Sequence, residues 1–477
     1  MANGFGAIEN GLSGLRAYRA ATETISHNLA NAATEGYSRQ EAVLAARPAA
    51  TYLGYGAISA PTPGNGVTLE TVRRSRDAFL DRRFRAAASE LGRLNITAET
   101  LSRLEHAYNE PSESGISGHL NRFFHAWQDV ANNPESRSSR TALLEHSESL
   151  ALRFRQAAGA IRDEQTNLDL IIGERVREVN ELAAQIAVLN GKIVNALGLG
   201  QSPNDLKDQR DRLLDTLSSL VGSTTTEQQN GAIDVAIGGR ALVAGVTANA
   251  IAAVATPPGT YRQVVWAADN AAVTLTSGEI AGALALRDVD LPSRLTTLDT
   301  LAGAIISQVN ALHTTGTDLT GAAGLPYFTG TDATTIALNP ALAGAPERVA
   351  AADLAGAAGP PPIPAESLPG GNRIALRLAA LAEQATMPAG ATFNGYWNTA
   401  IAQLGVAVNA AKTDLASQEV LHAQLTRERQ SKSGVSLDEE AANLIRFQRA
   451  FEAVSHVITV VDSMLSTIIN EMGRTGR

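Results

Sequence analysis

A heptad repeat near the C-terminus constrains this chain more than any other feature. Leu444, Phe447, Phe451, Val454, Ile458, Val461, Leu465, Ile468 and Met472 fill every a and d position in turn. Such a repeat holds a long helix in one register against a partner. A second stripe lies at the other end, where Ile8, Leu12, Leu15, Tyr18, Thr22, Ile25 and Leu29 follow three- and four-residue steps along one helix face. It stops at Asn31-Ala-Ala-Thr-Glu-Gly36, where Asn and Gly supply a turn. The first helix leads into the rest of the chain and the last leads out, so the two dock side by side only if antiparallel. At 1.5 Å per residue they measure roughly 43 and 54 Å.

Charge is scarce on both. Glu23 is the only Asp, Glu, Lys or Arg between Ala20 and Thr34, and Asp462 the only one between Ala453 and Asn470. A two-helix stalk in water needs charge on its outer faces. The deficit implies that those faces are covered by neighbouring copies, with termini that gain order on polymerisation. Ser436 followed by Glu439 reads as a capping box opening the last helix, with Asp438, Glu439 and Glu440 at the positive end of its dipole. Capping accounts for these carboxylates better than a metal or acid/base role.

Between the ends, residues 74–108 and 118–196 read as mostly helical, with breaks at Glu110-Pro111-Ser112 and Asn132-Asn133-Pro134. Leu168, Ile172, Val179, Leu182, Ile186, Leu189 and Ile193 form another heptad seam, interrupted by Arg175. Ser202-Pro203-Asn204-Asp205 reads as an N-cap with Pro at the first helical position, opening a helix through Leu220. From Gly222 to Ser277 the segments 232–237, 263–266 and 272–276, separated by Gly, Asn and Pro, suggest a small antiparallel β unit. Helix returns over 278–313. A loop-rich stretch follows, including the surface excursion Gly359-Pro-Pro-Pro-Ile-Pro364, and helix resumes from Asn372 to Arg429 with a break at 387–395. The expected fold is mainly α with a small β insertion: terminal heptad helices in an antiparallel coiled coil, a long helical-bundle body, and discontinuous nested domains. The domains are 1–40 with 435–477 as a terminal-helix unit, 41–221 with 278–434 as the helical body, and 222–277 as a β-rich outer unit.

Composition narrows the function. The 477 residues carry 39 Lys and Arg against 48 Asp and Glu, a net charge of −9, which argues against a nucleic-acid groove or an anionic membrane surface as partner. Zero cysteines exclude disulfides, thiolate chemistry and Cys-ligated metals. The densest apolar run, Val457 to Val461, is far short of a membrane span, and Met1 to Gly14 has neither the basic residues nor the apolar stretch of a cleavable secretory signal. The eight histidines show no helical zinc-ligand spacing, and His119 to Trp127, with Phe123 and Phe124, reads as aromatic core. Gly191-Lys192 lacks the remainder of a phosphate loop, and no Gly-x-Ser-x-Gly elbow occurs. Arg73, Arg74, Arg76, Arg82, Arg83 and Arg85, interleaved with Asp77 and Asp81, read as a solvated helical face paired along itself, by Arg74 with Asp77 or Asp81 with Arg85. No catalytic, metal or cofactor-binding set emerges. The expectation is a structural protein without cofactor, not an enzyme.

Two segments carry a resemblance. Ser26 to Gln40 resembles the N-terminal signature of bacterial flagellar axial proteins, the rod, hook and hook-associated group, through Asn28, Asn31, Thr34, Gly36, Tyr37, Arg39 and Gln40. Ser433 to Phe451 resembles the C-terminal signature of the same group, through Ser433, Gly434, Asp438, Glu439, Asn443, Phe447 and Gln448. Gly36 to Gln40, the Ser433 to Glu440 opening of the last helix and a third motif, Asn204-Asp205-Leu-Lys-Asp208-Gln209-Arg210-Asp211, which is not expected in rod or hook proteins, narrow the resemblance to the hook-associated proteins of the hook–filament junction.

The resemblance implies terminal helices lining an export channel, the body as a middle layer and the β unit as an outer knob. It also implies self-association in a ring, with hook protein on one side and a second junction protein, hook-associated protein 3, on the other. An export chaperone would bind the C-terminal region. Export would run unfolded through the flagellar type III apparatus to an extracellular site, without a cleaved signal, nucleic acid or membrane insertion. The chain looks short for this group, so an outer domain is expected to be reduced or missing. Assembly contacts are expected at Leu12, Leu15, Ile25 and Leu29 with Phe447, Phe451, Val454, Ile458, Val461 and Leu465, whose plainer role would be packing within one chain. The alternative is a hook or distal-rod subunit. A travelling wall hydrolase lacks a nucleophile or paired acid, and a cytosolic coiled-coil scaffold leaves both end signatures unexplained.

Overall fold

Helix α1 (Ala2–Ala30) opens the chain and α10 (Leu437–Met472) closes it. The computed structural model describes residues 2–48, 64–255, 261–353 and 370–472, so the Pro-rich stretch at 359–364 lies outside the described residues. After α1 comes an antiparallel hairpin, β1 (Gln40–Ala46) with β2 (Val67–Arg74), packed on α1. The sequence pattern predicts helix from residue 74. It starts instead at α2 (Ala78–Tyr108), where the Asp77 carboxylate accepts from the Phe79 and Leu80 amides and caps the first turn.

The body is built from α2, α3 (Ile116–Asn132), α4 (Arg137–Gly198) and α5 (Asn204–Leu220). Helix α4 runs about 93 Å at 1.5 Å per residue, and its seam from Leu168 to Ile193 is buried throughout, as the heptad spacing predicts. The His119–Trp127 segment forms core: Phe123, Phe124 and Trp127 are buried with Tyr327, Phe328 and Phe393. Ser202 and Pro203 do not cap α5 as expected. The Ser202 side chain is exposed, and the cap position falls on Pro203, which has no side-chain acceptor; the Asn204 side-chain amide that follows donates to the Gln40 side chain and the Val72 carbonyl.

The β unit holds a four-stranded antiparallel sheet of β3 (Ser223–Glu227), β4 (Ile233–Ile237), β5 (Arg240–Ala244) and β6 (Thr247–Ala248), and a hairpin of β7 (Ile251–Ala255) with β8 (Arg262–Trp266). Two asparagines of α4 pin it. Asn180 bonds both backbone groups of Ile251, and Asn190 does the same for Ile233. The expected strand at 272–276 forms only a bridge from Ala272 to Val265, since the chain turns at Gly278, φ 89°, into the next helix.

That helix, α6 (Glu279–Ala285), continues through a π-helical turn (Leu286–Asp290) into α7 (Leu291–His313). Short strands β9 (Gly316–Thr317), β10 (Phe328–Thr329), β11 (Ala337–Leu338) and β12 (Ala352–Asp353) thread the loop-rich stretch. Then α8 (Arg373–Ala380) and α9 (Phe393–Ser433) return along α2 to meet the start of α10. The chain is thus mainly α with a few small sheets.

Candidate assembly site

Helices α1 and α10 pack antiparallel. Gly11 lies against Ile458, the Tyr18 ring is 6.1 Å from that of Phe447, and Asn28 reaches Glu440. Most of the heptad face of α10 meets α1: Leu444, Phe447, Val454, Ile458, Val461 and Leu465 are half-buried, while the heptad residues Phe451 and Ile468 stay exposed. The opposing face is not the one that apolar spacing predicts. Gly11, Gly14, Ala17, Ala21, Ile25 and Asn28 are buried, Leu15 is half-buried, and Leu12 and Leu29 stay 41% and 45% exposed. Close approach is the cause. A Cβ on Gly11 would sit 2.6 Å from the Ile458 Cγ1, so the contact needs small residues and turns the leucines outward.

At the base of this pair the three sequence signatures meet. Asn28, buried on α1, donates to the Gln40 carbonyl (2.8 Å) and the Glu440 carboxylate (3.0 Å), and accepts from the Tyr37 hydroxyl (2.8 Å) and the Gln40 amide (2.9 Å). Every hydrogen-bonding group of its side chain is satisfied. Ser38 gives both its amide and its hydroxyl to Asp208, at 2.9 and 2.7 Å. The Gln40 side chain spans from Asp205 to Asn204. Arg39 binds Glu440 at 2.8 Å and Glu439 at 3.2 Å, and its amide donates to the Ser433 carbonyl. Gly36 turns the loop at φ 75°, tight against Arg212. Asn31 bonds the His27 carbonyl, and Thr34 bonds Asn31. Burial, and then the Asp205 carboxylate, push the Tyr37 phenol up, so it stays a neutral donor.

The acidic triplet is therefore only partly a cap. The Glu439 amide reaches Ser436 Oγ at 3.4 Å, while the Glu439 side chain goes to Arg39. Glu440 is buried as the acceptor that ties α10 to α1 and to the loop after it.

The arginine cluster also departs from expectation. Arg73, Arg82 and Arg83 are solvent-exposed as expected, but Arg74, on β2, and Arg76 and Arg85 are shielded and find partners on α5. Asp208, Asp211 and Asp215 recur at three- and four-residue steps on one face of α5. Arg74 bridges Asp208 and Asp211 at 2.7 Å each; Arg76 binds Asp81 and Asp211; Arg85 binds Asp211 and Asp215; Arg429 from α9 closes on Asp215 at 2.6 Å and covers the Phe84 ring. Burial alone would raise the Asp211 pKa, but Arg76, Arg74 and Arg85 hold its carboxyl well below the usual carboxylate range. This network joins the hairpin, α2, α5 and α9. Sequence reasoning missed Ser38, Arg74, Arg76, Arg85, Asp215, Arg429 and the role of Glu440. The spacing of the three aspartates was the available signal.

Other signature residues lie outside the knot. Gln209, Asp438 and Gln448 are exposed, Asn443 is half-buried, and Gly434 ends α9 by donating to Gln430. Arg210 is buried below, bonded to Asn190 and Gly231. On α10, Val457, Val460 and Met464 are exposed, as are the heptad residues Phe451 and Ile468. By length and composition alone the α9–α10 stretch passes as long and apolar enough to cross a membrane, contrary to the reading of its short apolar runs. One face of α10 is nevertheless taken by α1.

Comparison with known proteins places this arrangement. A family model described as the flagellar hook-associated protein FlgK helical domain matches residues 101–328, and models of the flagella basal body rod protein and of the flagellar basal body rod FlgEFG protein C-terminal match 8–37 and 428–471. The flagellar hook-associated protein 1 of Salmonella typhimurium strain LT2 is 35% identical over 331 residues, 67% of this chain. The chain belongs to the flagellar hook-associated protein 1 family. Its match spans 59% of the length of that Salmonella relative. The Bacillus subtilis strain 168 flagellar hook-associated protein 1 is 28% identical over 521 residues, covering both chains entirely. The structure titled flagellar hook junction protein FlgK from Burkholderia pseudomallei shares the fold, with a TM-score of 0.66 at 20% identity over 74% of this chain and all of that one. In this family member the two rod-type matches are the segments that meet in the polar knot.

Proposed function

We propose that the chain is a structural adaptor at the junction between flagellar hook and filament, required for filament assembly and without enzymatic activity. The observation that carries this reading is the terminal helix pair. Its two helices spend the small-residue face of α1 and most of the heptad face of α10 on each other, and leave Leu12, Leu29, Val457, Val460 and Met464, with the heptad residues Phe451 and Ile468, exposed. Apolar faces of that extent call for further protein neighbours. A head-to-tail contact repeated around a ring supplies them, and the upper and lower edges then meet different partners.

In this account the helix pair, 1–40 with 435–477, forms an antiparallel coiled-coil inner tube. The body, 41–221 with 278–434, makes a middle layer, and 222–277 an outer unit, nested in that order. Leu12, Leu15, Ile25, Leu29, Phe447, Phe451, Val454, Ile458, Val461 and Leu465 are the assembly residues. Of these, Leu12, Leu29 and Phe451 are exposed to neighbours, whereas Ile25 is buried and Phe447, Val454, Ile458, Val461 and Leu465 are half-buried on the face that meets α1. Hook protein lies on one side and hook-associated protein 3 on the other. A chaperone guards the C-terminal region before export to the extracellular flagellum, and neither membrane nor nucleic acid is a partner. The second reading is a hook or distal-rod subunit, favoured only by the rod-type matches at the two ends. Immunogold electron microscopy with antibody raised against the purified chain separates them. A single band of label between hook and filament is expected, whereas label along the hook or within the rod would transfer the protein to the second reading.

A further inference from the structure

Between β2, α2, the N-terminal half of α5 and the β unit lies a cleft of about 450 Å³ whose wall carries more cations than carboxylates. Most cations on its wall are spoken for. Arg73 pairs with Glu41, and Arg74, Arg76 and Arg85 share Asp81, Asp208, Asp211 and Asp215. Lys207 and Arg210, one helical turn apart on α5, are not. Arg210 is 1% exposed and meets no carboxylate: its Nη1 donates to the Asn190 side chain and the Gly231 carbonyl, and its buried Nε has no hydrogen-bond partner. The nearest carboxylate to Lys207 is Glu227, 4.0 Å away and largely exposed. No side chain caps α5, whose N-terminus at Pro203 and Asn204 forms part of the same wall.

A buried guanidinium without a direct carboxylate partner is costly. Burial, the largest effect on both, holds Lys207 and Arg210 below their ordinary pKa values; Glu227 and Asp211 oppose it and Arg74 adds repulsion. Each would be relieved by an anion in the cleft. We infer that this cleft is an oxyanion-binding site, in which Lys207, Arg210 and the open N-terminus of α5 receive a phosphate or a carboxylate group. The carboxylate would come from an acidic side chain of a second copy of the chain; the phosphate would be free in solution. A helix N-terminus and two cations are suited to either.

The test uses the purified full chain and inorganic phosphate, with chloride at matched ionic strength as the reference. Lys207→Gln is the variant, because Lys207 is partly exposed and the fold tolerates its loss; its unfolding transition in chloride checks this. If free phosphate is the ligand, it raises the unfolding midpoint of dilute protein saturably, and Lys207→Gln weakens the apparent affinity about tenfold, the loss of one charge-assisted hydrogen bond. If a second copy supplies the carboxylate, sedimentation in chloride shows concentration-dependent association that phosphate competes away and Lys207→Gln abolishes. A chain that shows neither effect, or shows both unchanged in Lys207→Gln, overturns the site. Neither outcome depends on where in the flagellum the protein resides.

Discussion

Asp211→Ala is expected to destabilise the folded chain by about 3–5 kcal/mol, the range for removing one partner from a buried ion pair. Three arginines, Arg74, Arg76 and Arg85, converge on this carboxylate, and all are largely shielded from water. Without it they face one another with Asp208 and Asp215 as the remaining acceptors on α5. Urea unfolding of the variant at pH 7 reads the loss. Asp205→Ala on the same helix is the control: Asp205 is more than half exposed, and its bonds to His27 and Gln40 are worth under about 1 kcal/mol. A shift no larger for Asp211→Ala than for Asp205→Ala would mean that the network is solvated after all. The native pKa of Asp211 lies below its unfolded value of 3.8, so its contribution is complete above that pH and is lost as pH falls further.

A second large effect is expected from His313, at milder acidity. The side chain is fully buried; its Nδ1 donates to the Leu325 carbonyl and its Nε2 accepts the Ala350 amide at 2.9 Å. Burial pushes its pKa down to about 4 from 6.5, with Arg140 adding repulsion and the Leu325 carbonyl and Asp318 opposing. A proton on Nε2 would set two N–H groups against each other. The unfolded chain binds the proton more readily than the native one, so stability is greatest above pH 6.5 and declines as pH falls toward 4. At 1.36 kcal/mol per unit the decline amounts to about 3 kcal/mol. Urea midpoints measured from pH 7.5 to 4.5 for the wild type and His313→Asn isolate this group, since other titrations are common to both. The variant should be less stable at neutral pH and flatter with pH; parallel curves would contradict the assignment.

The long elements were legible in the sequence because their signal is periodic and long. The seam from Leu168 to Ile193 is buried as its spacing requires, and the heptad of α10 faces its partner. The face of α1 was not legible, because its contact is made of glycine and alanine, which carry no hydropathy signal. What decides it is the close fit of Gly11 against the Ile458 side chain. The arginine cluster was misread for a different reason. Asp77 and Asp81 are its neighbours in sequence, whereas Asp208 and Asp211 lie 134 and 137 residues from Arg74. Local pairing rules cannot see such partners. The hydrogen bonds of the signature residues were likewise hidden: Asn28, Tyr37, Gln40, Asp208 and Glu440 each stood out as motif members or caps, but only the fold brings them to one knot.

The most direct measurement is electron microscopy of cells from which the gene has been deleted, with flagellin assayed in the medium. A junction adaptor predicts complete hooks that bear no filament and flagellin lost to the medium, both reversed by the wild-type gene. Truncated or missing hooks, or filaments of normal length, would contradict it.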